Sequence, residues 1–210
     1  GRAKTKRRRA DRRRRGPEVP PLAEDEDLAL LAPGVALIRH RLGVETLREY
    51  LEKGDAALTT LDYQAQWSAR HSRGAGREEV ILKDVEAFLH LQETARDFCR
   101  NARVRLRTVA VQRAGPHSPA QRLHYDDDTQ GYVTILVPLH ELSCEMGGTY
   151  IKPLRGIVRP RYPEEALMFL GNVLHRGAAN KSNEPRTFAY AAFSEEEDFL
   201  NNMFGGQGGV

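Results

Sequence analysis

Two cysteines, Cys99 and Cys144, are all that the 210 residues contain. That is too few for a disulfide framework, and a reducing compartment is the default expectation. Long apolar runs are missing as well. No stretch approaches the roughly 18 consecutive apolar residues of a membrane-spanning helix. No basic segment is followed by an apolar signal core. Tryptophan occurs once, at Trp67. Acid is scarce in one place: residues 2–15 hold ten Lys and Arg against Asp11 alone, a charge of +9 in a chain of net +3. Residues 16–210 therefore carry 3 − 9 = −6. The pI of 9.0 belongs to the tail, and the rest of the chain is acidic. Nucleic-acid binding does not follow from the global charge.

A run of like charge repels itself and buries no apolar surface. Residues 1–24, with Pro17, Pro20 and Pro21, thus read as a disordered basic tail and Pro-rich linker. Three readings of the tail stand open. It is a nuclear or organelle-targeting signal of an intracellular protein, an arm that contacts polyanions without base information, or a solubilising extension. Residues 25–204 read as one domain and 205–210 as a flexible Gly-rich end.

Within that domain the first half reads as helical. Acids at 24–27 ahead of Leu28, Leu30 and Leu31 suggest a short helix with a favourable first turn. Val44, Leu47 and Leu51 give helical spacing to Lys53, with Gly54 as a C-terminal stop. Ile81, Val85, Phe88, Leu89 and Phe98 suggest a longer amphipathic helix from Glu78 to about Arg100. Residues 25–100 are thus expected as a helical layer. At Arg103 the period changes to two, a strand signal. Further β-type runs follow at 123–125, 132–139, 149–151, 166–170, 173–175 and 187–193, separated by Gly131, Gly147-Gly148 and Gly171-Asn172. Helices followed by many short strands imply an α+β domain whose strands, over about 103–193, form an antiparallel sandwich or barrel. A last short helix is expected over 195–204.

The chemistry concentrates in His124-Tyr125-Asp126, a distant His175, and Arg186. On an extended chain side chains alternate, so His124 and Asp126 point to one side and Tyr125 to the other, where it reads as packing. His175 from another strand completes a face of two imidazoles and one carboxylate. That is the facial triad of non-haem Fe(II) oxygenases, with positions left open. One His-x-Asp is weak on its own. Its weight comes from the apolar run 132–139 that follows, the Gly147-Gly148 pair, the turn before His175, and Arg186 at the head of the next apolar run. Asp127 and Asp128 read as capping or solvating the turn, and His140 as solvent-exposed.

Taken in order, His124, Asp126, His175 and Arg186 resemble the His-x-Asp … His … Arg pattern of the Fe(II)/2-oxoglutarate-dependent dioxygenase superfamily. The segment from His175 through Asn180 and Pro185 to Arg186 is similar to the distal motif of phytanoyl-CoA hydroxylase-like members. Prolyl 4-hydroxylases usually carry Lys where Arg186 stands. The resemblance covers 104–193. It implies a double-stranded β-helix (jelly-roll) core with N-terminal flanking helices, and Fe(II) held by His124, Asp126 and His175. It implies 2-oxoglutarate as co-substrate, its distal carboxylate on Arg186 with help from Thr134, Gln112 or Thr149. The implied enzyme is an oxidoreductase that hydroxylates a small molecule or a protein side chain with O2, giving succinate and CO2. A prolyl-hydroxylase-like protein modifier is one alternative. A non-catalytic jelly-roll binding module with a basic anchoring arm is another. Asp126 argues against a halogenase, where a smaller residue makes room for halide.

Overall fold

The computed structural model describes residues 19–58, 77–82, 85–127 and 131–195. Residues 1–18, Trp67, Asp128 and the stretch after Glu195 lie outside the described residues, and so do the readings made of them; within the linker expected to be disordered, Leu22 is instead buried in the core, its amide donating to Glu165 Oε1 at 2.9 Å. Among the described residues, ten strands form two sheets. The larger contains β1 (Leu28–Ala32), β2 (Val35–Arg39), β3 (Arg77–Leu82), β4 (Arg105–Ala114), β5 (Val133–Pro138), β8 (Glu165–Leu170) and β10 (Arg186–Ser194). Its order is β1-β2-β8-β5-β10-β4-β3, antiparallel throughout. The smaller contains β6 (Thr149–Ile151), β7 (Gly156–Val158) and β9 (His175–Gly177) in the order β7-β6-β9.

Residues paired across antiparallel strands share a face. One row crosses the larger sheet as Leu37, Leu167, Leu136, Tyr190, Ala110 and Ile81. This inner face packs with Ile151 and Val158 of the smaller sheet into a single core. The outer face, with Ile38, Val109, Val111, Ile135 and Met168, is covered by α1 (Val44–Leu58) and α2 (Leu91–Cys99). Tyr50 of α1 meets Phe88 edge-on, with ring centroids 5.0 Å apart. With both faces covered, β10 is buried along its whole length and reads as a continuous apolar run instead of an alternating one.

Several elements differ from the sequence reading. Leu28–Ala32 is an edge strand, not a helix. Leu28 and Leu30 stay exposed while Ala29 and Leu31 turn toward the core, and leucine on both faces hides the period of two. Helix α1 does not stop at Gly54 but continues to Leu58. Gly54 is the point where the helix lies on β4: a Cβ there would stand 2.6 Å from Val111 Cγ1. The long helix expected over 78–100 is instead β3, a 3-10 turn at Glu86–Phe88, and α2. Val80 of β3 packs outward and Ile81 inward, so alternation is cancelled there too. The described residues of 25–100 therefore supply three strands of the larger sheet as well as two helices. Strand β7 was not expected. Both cysteines are free.

Candidate metal centre

His124 and His175 face each other across an isolated antiparallel bridge. The His124 amide donates to the His175 carbonyl at 2.9 Å, and the His175 amide donates to the His124 carbonyl at 3.0 Å. Two residues that exchange both backbone bonds project their side chains to the same side. Their ring centroids stand 4.5 Å apart. Asp126, two residues on, is fixed by its amide donating to the Gly171 carbonyl at 3.0 Å. Gly171 is required there, since a Cβ would lie 2.5 Å from the Asp127 carbonyl oxygen. The three side chains bring one ligand atom each to within 4.8 Å of one another.

Hydrogen bonds behind the triad settle which atoms face its centre. His124 Nδ1 lies 2.8 Å from the Arg122 carbonyl oxygen, and His175 Nδ1 lies 2.9 Å from that of Val173. A carbonyl only accepts, so each Nδ1 carries a hydrogen, and in the neutral ring each Nε2 is the ligand atom. Those Nε2 atoms lie 3.8 Å and 3.4 Å from Asp126 Oδ1. The other carboxylate oxygen, Oδ2, accepts a 2.6 Å hydrogen bond from Thr134 Oγ1. Two imidazole nitrogens and one carboxylate oxygen thus converge, and the outer atoms of all three are tied down. This donor set fits a divalent transition metal with nitrogen and oxygen preferences. Phe169 packs against the His175 ring at 4.5 Å and walls the inner side.

Arg186 opens β10 and is 2 % exposed. It donates to the Met146 carbonyl through Nη1 and to the Ala178 carbonyl through Nη2 at 3.0 Å, while its Nε is buried without a partner. Burial, then the neighbouring charge of Arg77, push its pKa from 12.5 down to about 9. No acid acts on it among the described residues. Gly147 makes room for it: a Cβ there would meet Arg186 Nη1 at 2.9 Å.

No family model matches the chain, and no curated protein matches its sequence. Solved structures match its fold. The non-heme alpha-ketoglutarate-dependent carbocyclase SnoK from nogalamycin biosynthesis aligns with a TM-score of 0.64 at 12% identity, over 82% of this chain and 87% of its own. The epimerase SnoN, solved with Fe3+, alpha-ketoglutarate and nogalamycin RO, aligns with a TM-score of 0.57 at 15% identity, over 85% and 88%. The viral collagen prolyl hydroxylase of Paramecium Bursaria Chlorella virus-1, solved with 2-oxoglutarate, aligns at 0.52 and 18% identity, over 76% and 94%. The core is a jelly roll.

Within the jelly roll the expected helpers of Arg186 fall in different places. Thr134 pairs with Ala192, six residues beyond Arg186 on β10, or about 20 Å along the strand. Its hydroxyl serves Asp126 instead of the arginine. Gln112 shares the inner face and donates through Nε2 to Glu79 at 3.2 Å. Thr149 is buried on β6 opposite Gly177, next to the Ala178 carbonyl that Arg186 holds. Of the two expected threonines, it is the one at the arginine end. Tyr125 is 53% exposed and does not pack, because it points away from the triad into solvent. His140 is not a free surface residue: its Nε2 accepts from the Thr187 amide at 3.0 Å, beside Arg186.

Three groups escaped the sequence reading. Arg77 of β3 reaches the Ala178 carbonyl from the other side, at 2.8 Å. Tyr132 and Tyr190 join hydroxyl to hydroxyl under Thr134. Burial first, and the charge of Asp126 next, hold both phenols well above their usual pKa. His40 is buried, with Nδ1 accepting from the Leu42 amide. Both tyrosines belong to runs that were marked as strands, but only the strand register brings residues 58 apart together.

Proposed function

We propose that this chain is an Fe(II)- and 2-oxoglutarate-dependent oxygenase that hydroxylates its substrate. One observation carries the reading. A triad of two imidazoles and a carboxylate shares a barrel with a buried guanidinium that no acid among the described residues neutralises. A buried cation without a counter-charge is costly, and its site suits an anionic ligand. Iron with 2-oxoglutarate and O2 would supply oxidation of a substrate C–H to C–OH, with succinate and CO2 released.

The residues divide the work. His124, Asp126 and His175 would hold the metal on one face, leaving the other positions open. The Arg122 and Val173 carbonyls hold a hydrogen on each Nδ1 and so turn each Nε2 toward the metal position. Thr134 holds Oδ2 of Asp126 so that Oδ1 faces the ion. Arg186 would bind the distal carboxylate of the co-substrate, which its planar fork can meet at two points. Thr149, buried on β6 opposite Gly177, would add a hydroxyl there. Phe169, Leu136 and Phe188 line an apolar inner wall that keeps water from the site.

Within the class we favour a phytanoyl-CoA hydroxylase-like enzyme, because Arg186 stands where prolyl hydroxylases usually carry lysine. The fold likeness to a collagen prolyl hydroxylase supports a protein side chain as the second substrate reading. The test is anaerobic loading with Fe(II), followed by O2 and 2-oxoglutarate. The protein is expected to retain one iron and to form succinate. His124→Ala and Asp126→Ala are expected to lose both. Unchanged iron retention in either variant would remove that residue from the ligand set.

A further inference from the structure

Arg77, Ala114 and Arg186 stand side by side on three neighbouring strands. Ala114 pairs with Arg77 of β3 on one side and with Arg186 of β10 on the other. Paired residues share a face, so the two arginines flank one small side chain. Their guanidinia converge. Nη2 of Arg77 and Nη2 of Arg186 both donate to the Ala178 carbonyl oxygen, at 2.8 Å and 3.0 Å. Like charges this close repel each other, and no acid among the described residues acts on either. The Nε of each is buried without a partner. Each also lies against a glycine. A Cβ on Gly177 would stand 2.7 Å from Arg77 Nη1, and one on Gly147 would stand 2.9 Å from Arg186 Nη1. Space that any other residue would fill is left to the guanidinia.

A purely structural role for Arg77 explains part of this. Its Nη2 donates to the Pro119, Gly177 and Ala178 carbonyls and ties β3 to the smaller sheet. Those bonds use one nitrogen. They do not account for the buried cation Arg186 beside it, or for the idle Nε on both. An anion between the two guanidinia accounts for all three features.

We propose that Arg77 and Arg186 form a two-guanidinium clamp on the distal carboxylate of the co-substrate, with Arg77 setting the preference for a 2-oxo dicarboxylate over a 2-oxo monocarboxylate. The proposal rests on the oxo-acid reading of Arg186. It is tested by calorimetric titration of the Mn(II)-loaded full chain with 2-oxoglutarate and with 2-oxobutyrate, which lacks the distal carboxylate. Arg77→Gln is expected to weaken 2-oxoglutarate binding roughly tenfold or more and to leave 2-oxobutyrate within about twofold, since only the dicarboxylate loses a charge-assisted partner. An unchanged preference overturns the clamp, and so does an equal loss for both acids, which is what a structural tie would produce. Arg186→Gln separates the two readings. If it weakens 2-oxoglutarate and Arg77→Gln does not, the clamp alone falls; if neither does, the oxo-acid reading falls with it. Should Arg77→Gln fail to fold, Arg77→Lys replaces it, keeping the charge without the fork. A several-fold loss confined to the dicarboxylate is then expected, and an unchanged preference overturns the clamp.

Discussion

Arg186→Met is expected to make the ligand-free protein more stable while abolishing its response to 2-oxoglutarate. The guanidinium is 2 % exposed, and burial together with Arg77 holds its pKa near 9 against an ordinary 12.5. The folded value lies below the unfolded one, so folding disfavours the charged form. The penalty is full below pH 9 and is relieved only above it. At about 1.4 kcal/mol per pKa unit the penalty is on the order of 5 kcal/mol, and this is an upper limit because the surroundings relax around a group that stays charged. Two hydrogen bonds oppose it, to the Met146 and Ala178 carbonyls. Losing them costs about 1–1.5 kcal/mol each. Ala178 keeps its bond from Arg77. The surplus is roughly 2 kcal/mol in favour of methionine, within the range of about 1–4 kcal/mol seen when buried charges give way to apolar side chains. For a domain of this size that is a rise in Tm of roughly 4–8 °C. The assay is scanning calorimetry at pH 7 on Mn(II)-loaded protein, with and without 2-oxoglutarate. Wild type at a hundredfold excess over Kd should gain about 2.7 kcal/mol from the ligand, and the variant none. A variant that melts lower than wild type without ligand, yet still rises with it, would show that Arg186 is a structural tie and not a receptor for an anion.

Thr134→Val keeps the shape of the side chain and removes the 2.6 Å bond to Asp126. The carboxylate is then free to turn, and affinity for Fe(II) or Mn(II), measured by competition with a chelator, should fall roughly 10–100-fold. An unchanged affinity would show that Asp126 is oriented by something else. His40 carries an acid penalty: burial first, then the charge of His90, lower its pKa from 6.5 to about 4. Because the unfolded chain takes up the proton first, stability is full above pH 6.5 and falls by about 3 kcal/mol as pH drops from 6.5 to 4. His40→Phe should flatten that part of the curve in urea unfolding at pH 7 and pH 4.5. An equally steep loss in the variant would assign the acid sensitivity to other groups.

What could be read from the chain and what could not divide along a physical line. The convergence of His124, Asp126 and His175 was legible because ligand chemistry restricts the residue types and strand alternation fixes their spacing; His124 and Asp126 need only each other's position. Local periodicity failed where both faces of a strand are covered. In Arg77–Leu82 the outward Val80 and the inward Ile81 cancel the alternation, and the spacing of Ile81, Val85, Phe88 and Leu89 then imitates a helix. Once β3 is read as helix, Arg77 becomes one more solvated cation. The row Arg77–Ala114–Arg186 exists only in the register of three strands. Thr134 shows the same limit from the other side. Its nearness to the triad in the chain marked it as functional, but only the pairing with Ala192 reveals that it stands at the Asp126 end of β10 and not at the Arg186 end. The count of arginines is visible in any sequence. That two of them, one buried and one half-buried, meet at one carbonyl with no acid among the described residues acting on either is a property of the register. It is also the stronger argument for a ligand, since a guanidinium in water needs no counter-ion and a buried one beside a second cation does.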